Sequence, residues 1–104
     1  VKYKQMSDED INHAVLKAIH GDAVGPVGEG YHQIKLKDYC NNPADAFAVI
    51  LENNISLVSL SSLVKKGVGR WSAYHDSSAE LWAVNENPLR AAMIVFLMMQ
   101  ERIS

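Results

Sequence analysis

The stretch that runs from Asn87-Pro88 through Leu89 to Gln100 constrains this chain more than any other. Asn is a favoured helix cap, and Pro at the first helical position loses no hydrogen bond, because that N–H has no intrahelical partner. The helix it opens runs to about Arg102 and carries Leu89, Ala92, Met93, Phe96, Leu97 and Gln100 on one face. Ala91, Ile94, Val95, Met98 and Met99 fill most of the rest. A helix apolar nearly all round must be buried on more than one side. Either it lies at the centre of the fold, or its outer face meets another chain. The second alternative predicts a homodimer through Met93, Val95, Met98 or Met99.

The remaining elements can be read in order. Ser7-Asp8-Glu9-Asp10 opens a first helix, with Ser7 as cap, three acids at the positive end of the dipole and a short version of the capping box in Asp10. Ile11, Ala14, Val15, Ala18 and Ile19 form its apolar stripe, and Gly21 ends it. Gly21 to Gly30, with four glycines and Pro26, reads as a loop. Tyr31 to Lys37 alternates and reads as a half-buried strand. Asn42-Pro43 repeats the helix-opening device for a second helix, whose core face is assigned to Phe47, Ile50 and Leu51 and which Asn53-Asn54 ends. Ile55 to Leu60, Trp71 to Tyr74 and Leu81 to Val84 read as strands, with a turn over Lys65 to Arg70 and a polar link over His75 to Ser78. The order α-β-α-β-β-(β)-α predicts an α+β fold: three helices packed on a small, mainly antiparallel sheet, sandwich-like, as one domain over residues 1–104.

Composition excludes several classes. A chain of 104 residues, 48% apolar and 21% charged, has enough core to fold without a disulfide or metal. Its formal net charge of −2 gives no long-range attraction for nucleic acid or an anionic membrane. Cys40 is the single cysteine, which suits a reducing compartment. The first six residues contain no apolar signal core, and Ala91 to Met99 is too short to span a bilayer. A cytoplasmic protein with no membrane partner is expected.

Three segments carry a resemblance. Ser7-Asp8 with Ile11-Asn12, then Asp38-Tyr39-Cys40-Asn41-Asn42-Pro43-Ala44-Asp45-Ala46, then Asn87-Pro88-Leu89-Arg90 through Glu101 together resemble the NinX-like family of lambdoid phages and bacterial prophages. The layout is also similar to small phage proteins described as an α-β-α sandwich. That family usually has Trp-Pro after the Ala-Asp-Ala segment, where this chain has Phe47-Ala48, a change that suits an uninterrupted second helix. The resemblance implies a phage accessory protein in a bacterial host cell, in a replication and recombination neighbourhood. It implies no reaction and no catalytic residues.

The chemical candidates are sparse, and each has a commoner explanation. His13 and His20 share a face of the first helix, but Lys17 lies between them and no metal-binding spacing accompanies them. The glycines at 21, 25, 28 and 30 match no phosphate-binding spacing, and Asp22 and Glu29 carry the wrong charge. Cys40 as a nucleophile, with His32 or His75 as base and Tyr31 nearby, needs spatial adjacency and a lowered thiol pKa. Ser61, Ser62, Ser77 and Ser78 lack a nucleophile-elbow setting. No catalytic, cofactor-binding or metal site is therefore expected.

Two surfaces remain as binding candidates. Lys65, Lys66 and Arg70 with Trp71 and Tyr74 form the one basic-aromatic cluster, suited to stacking bases and tracking phosphates. Asp38, Tyr39 and Arg90 are a second partner site, set against a structural role in the turn before the second helix. Arg90 sits in the first turn of the last helix, unfavourable for the dipole, and Asp45 is its expected acidic partner. The leading expectation is a non-catalytic protein that binds a host or phage protein. A nucleic-acid binder using the Lys65–Arg70 turn is the alternative.

Overall fold

The structure, a computed structural model, describes residues 3–21, 37–60 and 70–103. A short 3-10 turn, Tyr3–Gln5, leads into α1 (Asp8–His20), and α2 (Pro43–Glu52) follows. Strands β1 (Ile55–Ser59), β2 (Trp71–His75) and β3 (Ser78–Asn85) precede the final helix α3 (Pro88–Ile103). Residues 31–36 of the strand expected over Tyr31–Lys37, residues 22–30 of the loop expected over Gly21–Gly30, and Lys65 and Lys66 of the expected turn lie outside the described residues.

The caps form as the sequence predicts. The Ser7 hydroxyl accepts from the Asp10 N–H at 3.0 Å, and Asn42 accepts from the Ala44 N–H at 3.0 Å. Gly21 takes the left-handed φ of 66° that ends α1. The Asn87 side-chain oxygen Oδ1 accepts from the N–H groups of Leu89 and Arg90 at 2.9 and 3.3 Å.

Helix α3 lies at the centre. One side packs on all three strands, and the other packs on α1 and α2. Every residue from Arg90 to Leu97 is buried. The alanines at 91 and 92 leave room for the flanking layers to approach closely. The all-round apolar pattern is therefore satisfied inside the chain. Met93 and Val95 are fully enclosed and Met98 and Met99 half-buried, so the first two offer a second copy no surface.

Two expected stripes are rotated from where periodicity placed them. In α1 the buried residues are Ile11, Val15 and Leu16, while Ala18 and Ile19 are exposed, because the helix runs out past the core after its second turn. In α2 they are Ala46, Val49 and Ile50. Phe47 and Leu51, assigned to the core face, are instead 57% and 61% exposed. With apolar groups at 46, 47, 49, 50 and 51, two adjacent stripes compete, and packing against α3 selects the one that carries the small Ala46.

The three strands form an antiparallel sheet in the order β1-β2-β3. Asp76 N–H donates to the Asn54 carbonyl at 3.1 Å and Leu60 N–H to the Arg70 carbonyl at 2.7 Å, extending the β1–β2 ladder at both ends. Antiparallel bonding alternates along a strand, so residues 70, 72, 74 and 76 bond to β1 and 71, 73 and 75 turn to β3. On β3, Ala83 and Asn85 then face β2, and the backbone groups of Trp82 and Val84 point away from it. Ile55, Leu57, Ala73 and Ala83 line the face against α3. Val58, Tyr74 and Trp82 lie on the other face and are exposed.

Candidate functional site

The three segments that carry the sequence resemblance meet at one place. The turn Asp38–Asn41 sits between the starts of α1 and α3, and side chains from all three segments bond across it. Asn12 donates from its amide to the Asp38 carboxylate at 2.9 Å and accepts from the Cys40 N–H at 2.9 Å. Asn41 donates to the carboxylates of Asp8 at 3.2 Å and Asp38 at 3.1 Å. Asn87 donates to the Cys40 carbonyl at 2.6 Å and to the Asn41 side-chain oxygen at 3.3 Å. The Asp38 N–H donates to Asp45, and the Asp38 carbonyl accepts from the N–H groups of Asn41 and Asn42.

Arg90 closes this seam. Its guanidinium donates to the Asp8 carboxylate at 2.7 Å, to the Tyr3 carbonyl at 3.0 Å and to the Met6 carbonyl at 2.6 Å. The partner is thus Asp8, not Asp45. The reason is geometric: the acid-rich start of α1 lies beside the start of α3, and the Asp45 carboxylate is turned to the Asp38 N–H. An arginine against the dipole of its own helix is tolerated because it serves the N-terminal carbonyls and an acid of another. Partial burial would by itself raise the Asp8 pKa. Hydrogen bonds from Arg90 and Asn41, with the Arg90 charge, outweigh that and hold the carboxyl below its usual value.

This constellation ties the start of α1, the 38–41 turn and the start of α3 together. Cys40 is fully buried, its sulfur directed at the Asp8 carbonyl 3.9 Å away. Burial, reinforced by the negative charge of Asp8, pushes its thiol pKa up to about 12. A nucleophilic cysteine needs the opposite shift. The expected bases do not help: His32 lies outside the described residues, and His75 accepts from the Ser77 N–H in the β2–β3 turn. Native protein is therefore expected to leave Cys40 unlabelled by iodoacetamide at pH 8 over hours, with stoichiometric labelling on denaturation, read by mass spectrometry. Rapid native labelling would contradict the buried placement.

Other polar candidates are equally quiet. The Ser56 hydroxyl bonds directly to the Asp76 carboxylate, with no histidine between them. Among the described residues no buried side-chain nitrogen or oxygen lacks a partner, and no cluster of three or more His, Cys, Asp or Glu is placed to hold a metal ion. No helix among them is long and apolar enough to cross a membrane.

The two binding candidates are redistributed. Of Asp38, Tyr39 and Arg90, only Asp38 is exposed; Tyr39 is 2% and Arg90 9% accessible. Burial and the nearby Asp45 charge raise the Tyr39 phenol pKa. In the basic-aromatic cluster, Trp71 and Tyr74 stand three apart on β2 and so face opposite ways. Trp71 turns toward α3, half-buried, and Tyr74 stands on the open face with Arg70.

Tyr74 has a companion that sequence reasoning missed. It pairs with Trp82, which is 55% exposed. This is a non-hydrogen-bonded pair, the kind that brings side chains closest. A regular hairpin closing at His75 and Ser78 would set Tyr74 against Ala79. A bulge places residues 79–81 of β3 between consecutive pairs and moves the partner to Trp82. Val58 on β1 completes an apolar and aromatic group on the sheet face that no described helix covers.

Fold and site together define a small α+β protein whose helix starts are tied by a polar seam and whose sheet carries exposed aromatic side chains on the face that no described helix covers. A family model described as "Bacteriophage P22, NinX" matches residues 2–100, and the chain belongs to that phage family. Neither the curated proteins nor the solved structures supply a match.

Proposed function

We propose that this phage protein is a non-catalytic accessory protein that works by binding another protein of the phage or its host through the open face of its sheet. The observation that carries this reading is the adjacent Tyr74–Trp82 pair, with Val58 on the same face. A tryptophan has roughly 150–250 Å² to bury, so one left more than half exposed forgoes about 2–3 kcal/mol at ~25 cal/mol per Å². Tryptophan and tyrosine are also the residues that dominate binding energy at protein interfaces. Cys40, the nucleophile candidate, is committed to the core, which weighs against an enzyme that uses it.

Host lysate passed over the immobilised protein, in parallel with a Tyr74→Ala/Trp82→Ala variant, tests this. A protein captured by the parent and depleted at least about tenfold on the variant is the expected result. Equal capture by both would reject the sheet face. Arg70 on that face keeps nucleic acid as a second reading. Tryptophan quenching by single-stranded DNA that weakens steeply with salt would favour it.

A further inference from the structure

Helix α2 turns to solvent a face that its residues do not suit. Seven of the ten residues of Pro43–Glu52 are Ala, Val, Ile, Leu or Phe, yet only Ala46, Val49 and Ile50 are buried. Pro43, Ala44, Phe47, Ala48, Leu51 and Glu52 are all exposed. Successive residues turn by about 100° around a helix axis, which sorts the outer side chains into rows. Phe47 and Leu51 form one row, Ala44 and Ala48 the middle one, and Glu52 with Asp45 the far margin. A surface helix ordinarily sets polar groups outward. Here the outward polar groups are two acids at one margin, and Asp45 already accepts from the Asp38 N–H. Single apolar side chains on a surface are commonplace, but a large apolar row along a row of alanines is a groove with one wall.

We propose that this outer face of α2 seats a helix of another protein, apolar on one side and basic at its margin. The alanine row lets a helix approach closely, Phe47 and Leu51 supply the apolar contact, and Glu52 meets the partner's Lys or Arg.

Charge selects this occupant over the others. Helix α2 carries two acids and no Lys or Arg, so a second copy laid on it sets like charges together. The same acids repel an anionic bilayer. The buried side of α2 packs on α3, and the sheet packs on the other side of α3, so this face is separate from the one that carries Tyr74 and Trp82. Its success or failure is independent of what binds the sheet.

The probe is a fluorescent synthetic peptide of about 18 residues, with leucine along one helical face and lysine at its margin. The parent protein should bind it, and Phe47→Gln/Leu51→Gln should weaken binding at least about tenfold. Tyr74→Ala/Trp82→Ala should leave it within about twofold, because the two faces share no residue. Glu52→Lys should weaken the lysine peptide and strengthen one with glutamate in place of lysine, each by about threefold or more. Equal binding of the two peptides by the parent would overturn the proposal, as would equal binding of the lysine peptide by parent and Phe47→Gln/Leu51→Gln. Loss through the sheet-face variant alone would also overturn it. So would binding to phosphatidylcholine vesicles that Phe47→Gln/Leu51→Gln abolishes, which marks a lipid-facing helix. The melting temperature of that variant tests for cover from within the chain. Exposed positions should move it by less than about 5 °C, and a larger fall would overturn the proposal.

Discussion

Arg90→Met should lower stability by about 2–4 kcal/mol, because removing one member of a largely buried charge network leaves its partners unsatisfied. Three acceptors depend on this guanidinium: the Asp8 carboxylate and the carbonyls of Tyr3 and Met6. The Arg90 side chain is 11% accessible and that of Asp8 46%, so water can re-solvate the acid but not the site the arginine leaves. For a domain of this size each kcal/mol moves the melting temperature by about 4–8 °C, so a fall of roughly 10–30 °C is expected. Arg90→Lys should recover little, since one ammonium cannot replace two nitrogens aimed in different directions.

The same pair sets a pH signature. The Asp8 pKa is depressed in the folded state, so its contribution is complete above the unfolded value of about 4 and is lost as pH falls through the lower folded value. The gap between wild type and Arg90→Met should therefore be widest at neutral pH and narrow toward pH ~2, leaving the part due to the two carbonyl bonds. Thermal melts of both proteins across that range check the sign. A gap that stays constant would mean that Asp8 is not the partner that matters.

The second large effect concerns Asn87, and it separates the two Asn-Pro helix starts. Asn42 uses its side chain only to accept from the Ala44 N–H among the described residues. Asn87 accepts from Leu89 and Arg90 and also donates to the Cys40 carbonyl and Asn41. Asn87→Ala should cost about 2–3 kcal/mol, a cap and a partly buried bridge together. Aspartate retains the cap and suits the helix dipole, but it cannot donate and sets a carboxylate against a carbonyl oxygen. Asn87→Asp should thus still lose about 1–2 kcal/mol, whereas Asn42→Asp should stay within about 0.5. Equal effects at the two positions in chemical denaturation would show that Asn87 is only a cap.

Much of the fold was legible in the residues because its signals are local. Ser7, Asn42 and Asn87 cap the helices they precede, Gly21 ends α1, and the strands over 55–60 and 71–74 are where alternation puts them. The site was less legible. Trp71 and Tyr74 look like neighbours in sequence, but a strand sends residues three apart to opposite faces. Trp82 replaces Trp71 beside Tyr74 only because of a bulge, and a bulge adds backbone without leaving a residue pattern that marks it. Phe47 and Leu51 satisfy helical periodicity as well as Ala46 and Ile50 do, and only the surface of α3 chooses between them.

By itself, then, the sequence determined where the three α-helices and the first two strands sit, only the later half of β3 (Ser78–Asn85), that α3 must be enclosed, and which phage family the chain resembles. Each of these depends on neighbours within a few residues, or on one helix's composition. The tertiary structure decided what encloses α3, namely the chain's own sheet and helices, and that Arg90 answers Asp8 across 82 positions of chain. It also decided that the resembling segments converge on one polar seam, and that the aromatic face lies elsewhere, on the far side of the sheet. Those outcomes depend on which surfaces meet, and meeting is set by how layers stack around a buried helix, which no local pattern encodes.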